Sequence, residues 1–116
     1  MRVMTIPKDL VAASAIPIIL AILRRADSYG YAIIQKVREV SEDRLTWSDG
    51  MLYPVLHRLE AAGFIVSYWK VAKTGRKRKY YHLNAAGATE LERLKEQWFV
   101  VHNALERLTG STEAGE

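Results

Sequence analysis

Residues 48–63 read SDGMLYPVLHRLEAAG, and their apolar side chains recur at the spacing of an amphipathic helix. Ser48 is a good N-cap, and Gly63 stands where helices commonly end. The predicted helix reaches about residue 62, and its apolar face carries Leu52, Val55, Leu56, Leu59 and Ala62. The opposite face carries Gly50, Pro54, His57 and Ala61, with Tyr53 and Arg58 beside them. Because Pro54 has no backbone donor, we expect it to disturb this helix one turn in.

The N-terminal part of the chain predicts a first helix from Pro7 to Arg25, since proline suits a first helical turn. Pro17 lies inside its apolar stretch, where we expect a kink or a split. The richest apolar run, residues 16–23, is far shorter than the about 20 residues that cross a bilayer. No signal peptide is evident, and the chain has no cysteine. We therefore expect a cytoplasmic protein that does not bind membranes.

A second helix is expected between these two, from a cap at Asp27 or Ser28 to about Ser41. Its apolar positions fall on one face, which carries Gly30, Ile33, Val37 and Val40. The second and third helices together have the order of a helix-turn-helix.

A basic hairpin follows the third helix. The segments Ile65–Lys70 and Lys79–Leu83 are rich in β-branched and aromatic residues, and Thr74-Gly75 between them predicts a turn. Six of the 17 basic residues lie within ten positions here, with no acid among them: Lys70, Lys73, Arg76, Lys77, Arg78 and Lys79. A loop charged for solubility is the alternative, although solubility favours mixed signs. Phosphate binding favours such a run of cations.

The last predicted helix extends from a cap at Asn84 to about Leu108. Its apolar residues are spaced by three and four in turn, like a coiled-coil seam: Leu91, Leu94, Trp98, Val101, Leu105 and Leu108. So small a domain cannot cover this seam alone, so we expect a two-fold symmetric homodimer. A helix folded back on its own domain is the alternative. Symmetry would set the two third helices about 34 Å apart, one turn of DNA.

The predicted fold class is therefore mainly α (α+β), a winged helix-turn-helix with a C-terminal dimerisation helix. Residues 5–83 are expected to form the DNA-binding domain, residues 84–108 the dimerisation helix, and residues 109–116 a disordered tail. The formal net charge of +4 and the pI of about 9.5 agree with double-stranded DNA as the partner.

The candidate DNA contacts lie on the second helix, the third helix and the hairpin. Small residues on the third helix allow close approach to the major groove, and its start suits a phosphate. The candidates are Lys36, Arg38, Ser48, Tyr53, His57, Arg58, Lys73, Arg76, Lys77, Arg78 and Lys79. For Lys36 and Arg38 a solvated helix face is an equally good explanation.

Two other classes of function are less consistent with the sequence. An enzyme needs a nucleophile, a base and an orienting group within reach of one another. The three histidines, however, fall on separate elements, and no phosphate-cradling loop or metal-ligand spacing is present: His57, His82 and His102. We therefore expect no catalytic residue, no cofactor and no metal. A winged helix that binds RNA or a protein stays open as the alternative, because a fold does not fix function.

Three stretches are specific when taken together: Ser28-Tyr29-Gly30-Tyr31, residues 51–60 with Gly63, and residues 75–83. They resemble the PadR family of transcriptional regulators, in particular its short subfamily with one C-terminal helix. Ile6-Pro7-Lys8 and Ser67-Tyr68-Trp69 are similar to the multidrug-responsive members. The likeness covers roughly residues 5–108, and it accounts for Pro54. It implies a homodimeric repressor whose first helix packs on the partner's last helix and whose operator binding is relieved by a small molecule.

The resemblance also implies an effector site at the centre of the dimer. In multidrug-responsive relatives a tryptophan that matches Trp98 stacks flat aromatic drugs with its symmetry mate. The positions that would line such a pore are Leu10, Ala13, Ile16, Pro17, Leu94, Trp98, Val101 and His102. Two of them depart from the family pattern, since Pro17 bends a wall and His102 stands where an acid would attract cations. For Trp98 a plain core position is the alternative to a small planar aromatic effector.

Overall fold

Four α-helices and a three-stranded antiparallel sheet make up residues 5–110, the part of the chain that this computed structural model describes. In chain order they are α1 Lys8–Arg25, β1 Ser28–Tyr29, α2 Gly30–Val40, α3 Asp49–Ala61, β2 Ile65–Val71, β3 Lys77–Leu83 and α4 Ala85–Thr109. The predicted fold class is confirmed. Within residues 5–110 no helix has both the length and the apolar character that crossing a bilayer requires.

Helix ends are set by the residues that the sequence indicates. The side chain of Ser48 accepts a hydrogen bond from the backbone N–H of Met51, and that of Asn84 accepts one from Gly87. Gly63 has a φ of 84°, a left-handed conformation that ends α3. Helix α4 extends to Thr109, so the first residue of the predicted tail is helical, and residues 111–116 of that tail lie outside the described residues.

The core forms where α1, α2 and α3 meet one face of the sheet. Its fully buried side chains include Ile19, Leu20, Ile33, Val37, Leu52, Leu56, Ile65, Tyr81 and Leu91. The predicted apolar faces of the second and third helices are confirmed except at their last positions, because Val40 and Ala62 are exposed. Both lie at the end of a helix, beyond the reach of the neighbouring elements.

Neither internal proline breaks its helix, so the predictions of a split at Pro17 and a disturbance at Pro54 were wrong. Helix α1 is continuous around Pro17, and α3 around Pro54. Each proline frees one carbonyl, four residues earlier. Those residues, Ala13 and Gly50, are exposed in the protomer, where water can satisfy the carbonyl. The buried side chains on both sides of each proline hold the helix to the core.

The second helix starts later than predicted, because the expected capping residues belong to the sheet. Ser28 and Tyr29 form β1 and pair with Tyr81 and Tyr80 of β3. Helix α2 then starts at Gly30. Its N-cap, Tyr29, makes no side-chain capping bond, so neither Asp27 nor Ser28 caps the helix. The sheet therefore has the order β1-β3-β2, with the hairpin anchored directly before α2.

Asp27 braces the hairpin instead. Its Oδ2 accepts a hydrogen bond of 2.6 Å from the hydroxyl of Tyr68 on β2, and its Oδ1 lies 2.8 Å from Nδ1 of His82 on β3. These contacts lower the pKa of the Asp27 carboxyl, the hydrogen bond from Tyr68 having the largest effect. One side chain before β1 thus holds both strands of the hairpin.

The hairpin strands are longer than the sequence predicts, and their side chains alternate between two faces. On the inner face, Ser67 donates to Glu60 of α3 at 2.7 Å, and Tyr81 opposite Ser67 is buried. The outer face carries Tyr68, whose ring stacks on Tyr80 with 5.7 Å between the centroids. The turn is closed at Gly75, which has a φ of 87°. We call residues 65–83 the wing.

Two glycines in helices predict opposite effects of the same substitution. A Cβ at Gly87, in the first turn of α4, would overlap the carbonyl oxygen of Phe64, whereas a Cβ at Gly50 on α3 would meet open space. We expect Gly87→Ala to lower the free energy of unfolding by about 2 kcal/mol or more. Gly50→Ala should raise it by about 0.5–1 kcal/mol, since alanine favours the helix. Urea unfolding of both variants measures the contrast, and equal effects would contradict the close packing of α4.

The Asp27 brace predicts a loss of stability in acid. Because the folded-state pKa lies below the ordinary value of 3.8, the carboxylate stabilises the fold above pH 3.8 and loses this effect as pH falls further. Tyr68→Phe removes the main cause, so it should raise the pKa of Asp27 towards its ordinary value. Carbon-detected NMR titration of the carboxyl measures both. An unchanged Asp27 pKa in Tyr68→Phe would rule out the hydrogen bond as the cause.

Candidate nucleic-acid interface

Helix α3 presents to solvent the face that the sequence predicts. Gly50, Pro54, His57 and Ala61 are all exposed, while Leu52, Val55, Leu56 and Leu59 on the other side are buried. Ser48 lies at the start of this helix, where its side chain is occupied by the N–H of Met51 at 3.2 Å. A surface of small residues along a helix admits the floor of a major groove without steric conflict.

A groove of about 800 Å³ lies between this helix and the wing. Its lining consists of aromatic and basic side chains and contains no carboxylate: Tyr29, Gly30, Tyr31, Tyr53, His57, Trp69, Arg76, Lys77, Arg78, Lys79 and Tyr81. The structure thus brings six of the predicted contacts, Tyr53, His57, Arg76, Lys77, Arg78 and Lys79, to one open concave surface. Four cations around one groove create the positive field that attracts a polyanion.

The inner end of the groove is closed by Tyr53. Its hydroxyl packs directly on the α-carbon of Gly30, and any larger residue there would overlap the ring. Tyr81 beside it is buried, and burial raises the pKa of its hydroxyl. Tyr53 is therefore held between α2 and α3, with about a third of its surface exposed towards the groove.

Several cations of the wing are held in place by aromatic rings. The guanidinium of Arg78 lies 4.6 Å from the ring centroid of Tyr29, and Nζ of Lys70 lies 5.1 Å from that of Tyr80. Nζ of Lys79 is 5.9 Å from the ring centroid of Tyr81. Such cation–π contacts restrict a long side chain without neutralising its charge, so the wing presents cations that are already ordered.

Other predicted contacts lie outside the groove. Lys36 pairs with Glu39 at 3.0 Å, and Arg38 pairs with Asp43 at 3.3 Å, both on the exposed side of α2. Arg58 is exposed on α3, and Lys73 lies at the turn of the wing. The structure does not gather these residues with the groove, and the ion pairs of α2 fit the solvated helix face that the sequence left open.

Two aromatic residues of the groove were missed from the sequence. Tyr31 stands at the start of α2 and Trp69 in the middle of β2, and both are largely exposed. The signal for Trp69 is its separation by two from Ser67, because alternate residues of a strand share a face. That signal becomes usable once Ser67 is known to contact α3.

The last helix is covered by its own protomer only at its start. Leu91 is buried in the core and Leu94 is half-buried, so Leu91, predicted for a dimer interface, is unavailable to a partner. Every residue from 95 to 110 is exposed. Among the seam residues, the exposed fraction is 38% for Trp98 and 84% for Leu108. The protomer therefore leaves an uncovered apolar helix face.

The residues predicted to line an effector pore lie on α1 and on this uncovered helix. Leu10 and Ala13 are exposed, Ile16 and Pro17 are half-buried, and all four lie on α1. Leu94, Trp98, Val101 and His102 lie on α4, where the imidazole of His102 is 3.9 Å from the carboxylate of Glu106. One protomer does not enclose them, so an effector pore stays a prediction.

Comparison with known proteins agrees with this architecture. The sequence profile of the transcriptional regulator PadR-like family matches residues 19–93. Over 54 residues the chain is 44% identical to transcriptional regulator Rv3488 of Mycobacterium tuberculosis, a match that covers 47% of this chain and 50% of that protein.

Solved structures of similar fold cover nearly the whole chain. A transcriptional regulator from Clostridium thermocellum is similar with a TM-score of 0.81 at 27% identity, over 91% of this chain and 100% of that one. A PadR-like transcriptional regulator from Bacillus cereus has a TM-score of 0.77 at 28% identity, over 90% of this chain and 100% of that one. Because the family profile matches more than half of the chain, the resemblance found in the sequence is confirmed, and the chain belongs to the PadR-like family of transcriptional regulators.

Proposed function

We propose that this chain is a homodimeric, cytoplasmic repressor that binds double-stranded DNA with α3 in the major groove and the wing along the adjacent backbone. The observation that carries the proposal is the groove beside α3, where four cations and no carboxylate surround an exposed helix face of small residues. Contacts to phosphates position such a protein, and contacts to base edges specify the sequence. In this proposal Arg76, Lys77, Arg78 and Lys79 position the duplex.

On α3 the proposed contacts to bases come from the side chain of His57 and the small residues beside it. His57 is exposed and lines the groove, so its ring nitrogens are accessible to base edges. Tyr53 is held by its packing on Gly30, which leaves its exposed edge for a backbone contact. Ser48 serves α3 as a cap, and the backbone N–H groups of the first turn are the proposed phosphate ligands there.

Pairing of two copies through α4 is the second part of the proposal. The seam beyond residue 95 is exposed, with Leu105 exposed by 57% and Leu108 by 84%. Apolar side chains of this size stabilise an interface by about 1.5–3 kcal/mol each when they are fully buried. An isologous contact between two α4 helices, together with the partner's α1, accounts for this face.

Relief of DNA binding by a planar aromatic effector is the least supported part. Trp98 lies mid-seam on α4 and is partly exposed, which fits a residue near a two-fold axis. His102 follows it by one turn, beside Glu106. An imidazole that pairs with a carboxylate leaves less negative charge for a cationic ligand, so a neutral planar ring fits these residues better than a cation does.

Reversal of charge on the wing tests DNA binding. The triple variant Arg76→Glu, Lys77→Glu and Arg78→Glu should abolish binding to a duplex from the protein's own promoter region at physiological salt. Each phosphate contact contributes about 0.9 to the slope of log affinity against log salt, so three lost contacts lower the slope by about 2.7. Fluorescence anisotropy at several salt concentrations measures both, with Arg93→Glu on α4 as the control that keeps its affinity.

The outcome also separates this proposal from the RNA-binding alternative. Equal-length RNA should bind more weakly than the duplex and compete poorly. Unchanged duplex affinity in the triple variant, or tight binding to RNA alone, would overturn the proposal.

Substitution in the seam tests the dimer. Leu105→Asp with Leu108→Asp should yield monomers in sedimentation velocity, because burial of two carboxylates in an apolar interface costs several kcal/mol. Asn103→Asp with Arg107→Asp places the same two charges on the other side of the helix and should leave the dimer intact. A dimer that persists in the first variant, or is lost equally in the second, would refute this interface.

A further inference from the structure

We propose that Trp69 is a DNA contact, an indole that lies against the sugar edge of the duplex backbone between the cations of the wing. The inference rests on the proposed function and adds to it a contact that is apolar rather than ionic. It assigns the role to a side chain on the inner face of β2, where the sequence pattern alone indicates only a strand residue.

The register of the wing defines where Trp69 lies. Along the inner face of the hairpin, Ile65 stands opposite Leu83, Ser67 opposite Tyr81, and Trp69 opposite Lys79. Ile65 and Tyr81 are buried against the core, and Ser67 bonds to α3. Trp69 is therefore the first position of this face beyond the protein core, on the side that faces α3.

The exposure of Trp69 is unusual for a position that continues a packed face. Its exposed fraction is 65%, although Ser67 and Tyr81 one step along the strands are covered. Trp69 lines the groove together with His57 of α3 and Tyr31 of α2. A large indole in that place gains a covering only from whatever occupies the groove.

The charges around Trp69 determine what that occupant is. Lys79 stands opposite Trp69, and Lys77 lies one step further along the same face. No carboxylate lines the groove with them. An occupant must therefore carry negative charge and also offer an apolar surface to the ring. The sugar–phosphate backbone combines the two, since phosphates alternate with the C–H edges of deoxyribose.

A duplex leaves the indole no unstacked base, so the contact is made to sugars. Single-stranded nucleic acid would instead stack its bases on Trp69, as bases stack on exposed aromatics elsewhere. The duplex is favoured here because α3 offers its exposed face of small residues along the same groove. The two occupants differ in what the ring contacts, and the test below distinguishes them.

The test measures affinity and its salt dependence separately. The probe is a duplex of about 30 base pairs, long enough for two half-sites one turn apart, selected by the wild-type protein from a random pool. We expect Trp69→Ala to weaken binding by roughly tenfold, as for other tryptophans at interface centres, with an unchanged salt slope. Lys77→Ala should lower the slope by about 0.9. Trp69→Phe should restore most of the affinity, because it keeps an aromatic surface.

Val66→Ala on the outer face of β2 is the matched control and should bind as the wild type does. Thermal unfolding of each variant confirms that the wing is folded. Wild-type affinity in Trp69→Ala, or a fall of its salt slope like that of Lys77→Ala, would overturn the proposed sugar contact while DNA binding itself stands. A larger loss on the single strand than on the duplex would replace it by base stacking. If the wild type binds no duplex at low salt, both proposals fail.

Discussion

The close contact between Tyr53 and Gly30 fixes the geometry on which the groove depends. Because Gly30 has no side chain, the hydroxyl of Tyr53 rests on its α-carbon, and the start of α2 is drawn onto α3. The two residues before Gly30 are β1, which pairs with β3 of the wing. Helix α2, helix α3 and the wing therefore meet at one point. A shift at this contact would move the cations of the wing relative to the exposed face of α3.

The distribution of charge over the sheet follows from the same junction. The inner face of the wing turns cations and Trp69 towards the groove, whereas the carboxylate of Asp27 contacts the outer face through Tyr68 and His82. Asp27 thus braces the wing without placing negative charge in the groove. This arrangement keeps the attraction for phosphates undiminished, while hydrogen bonds on the outer side resist bending of a two-stranded ribbon that would be marginal alone.

Much of this fold could be predicted from the sequence because its signals are local. The caps at Ser48 and Asn84 and the left-handed Gly63 each act within one helical turn. What the sequence did not reveal depends on residues far apart in the chain. Asp27 meets Tyr68 and His82 at separations of 41 and 55 residues, and no local pattern contains those contacts. For the same reason the basic run was recognised as a whole, but the side of the hairpin that faces α3 was not.

Helix α4 connects the interface with DNA to the pairing of two chains. Its first half belongs to the protomer core, because Leu91 is buried and Gly87 packs on the backbone of Phe64. Its second half is exposed and continues without a break in the helix. A helix of 25 residues spans roughly 37 Å. Since no flexible linker separates the two halves, a partner that binds the second half is held at a fixed angle to α3. Any small molecule that changes the packing around Trp98 would then alter the spacing of the two α3 helices, and with it the fit to successive major grooves.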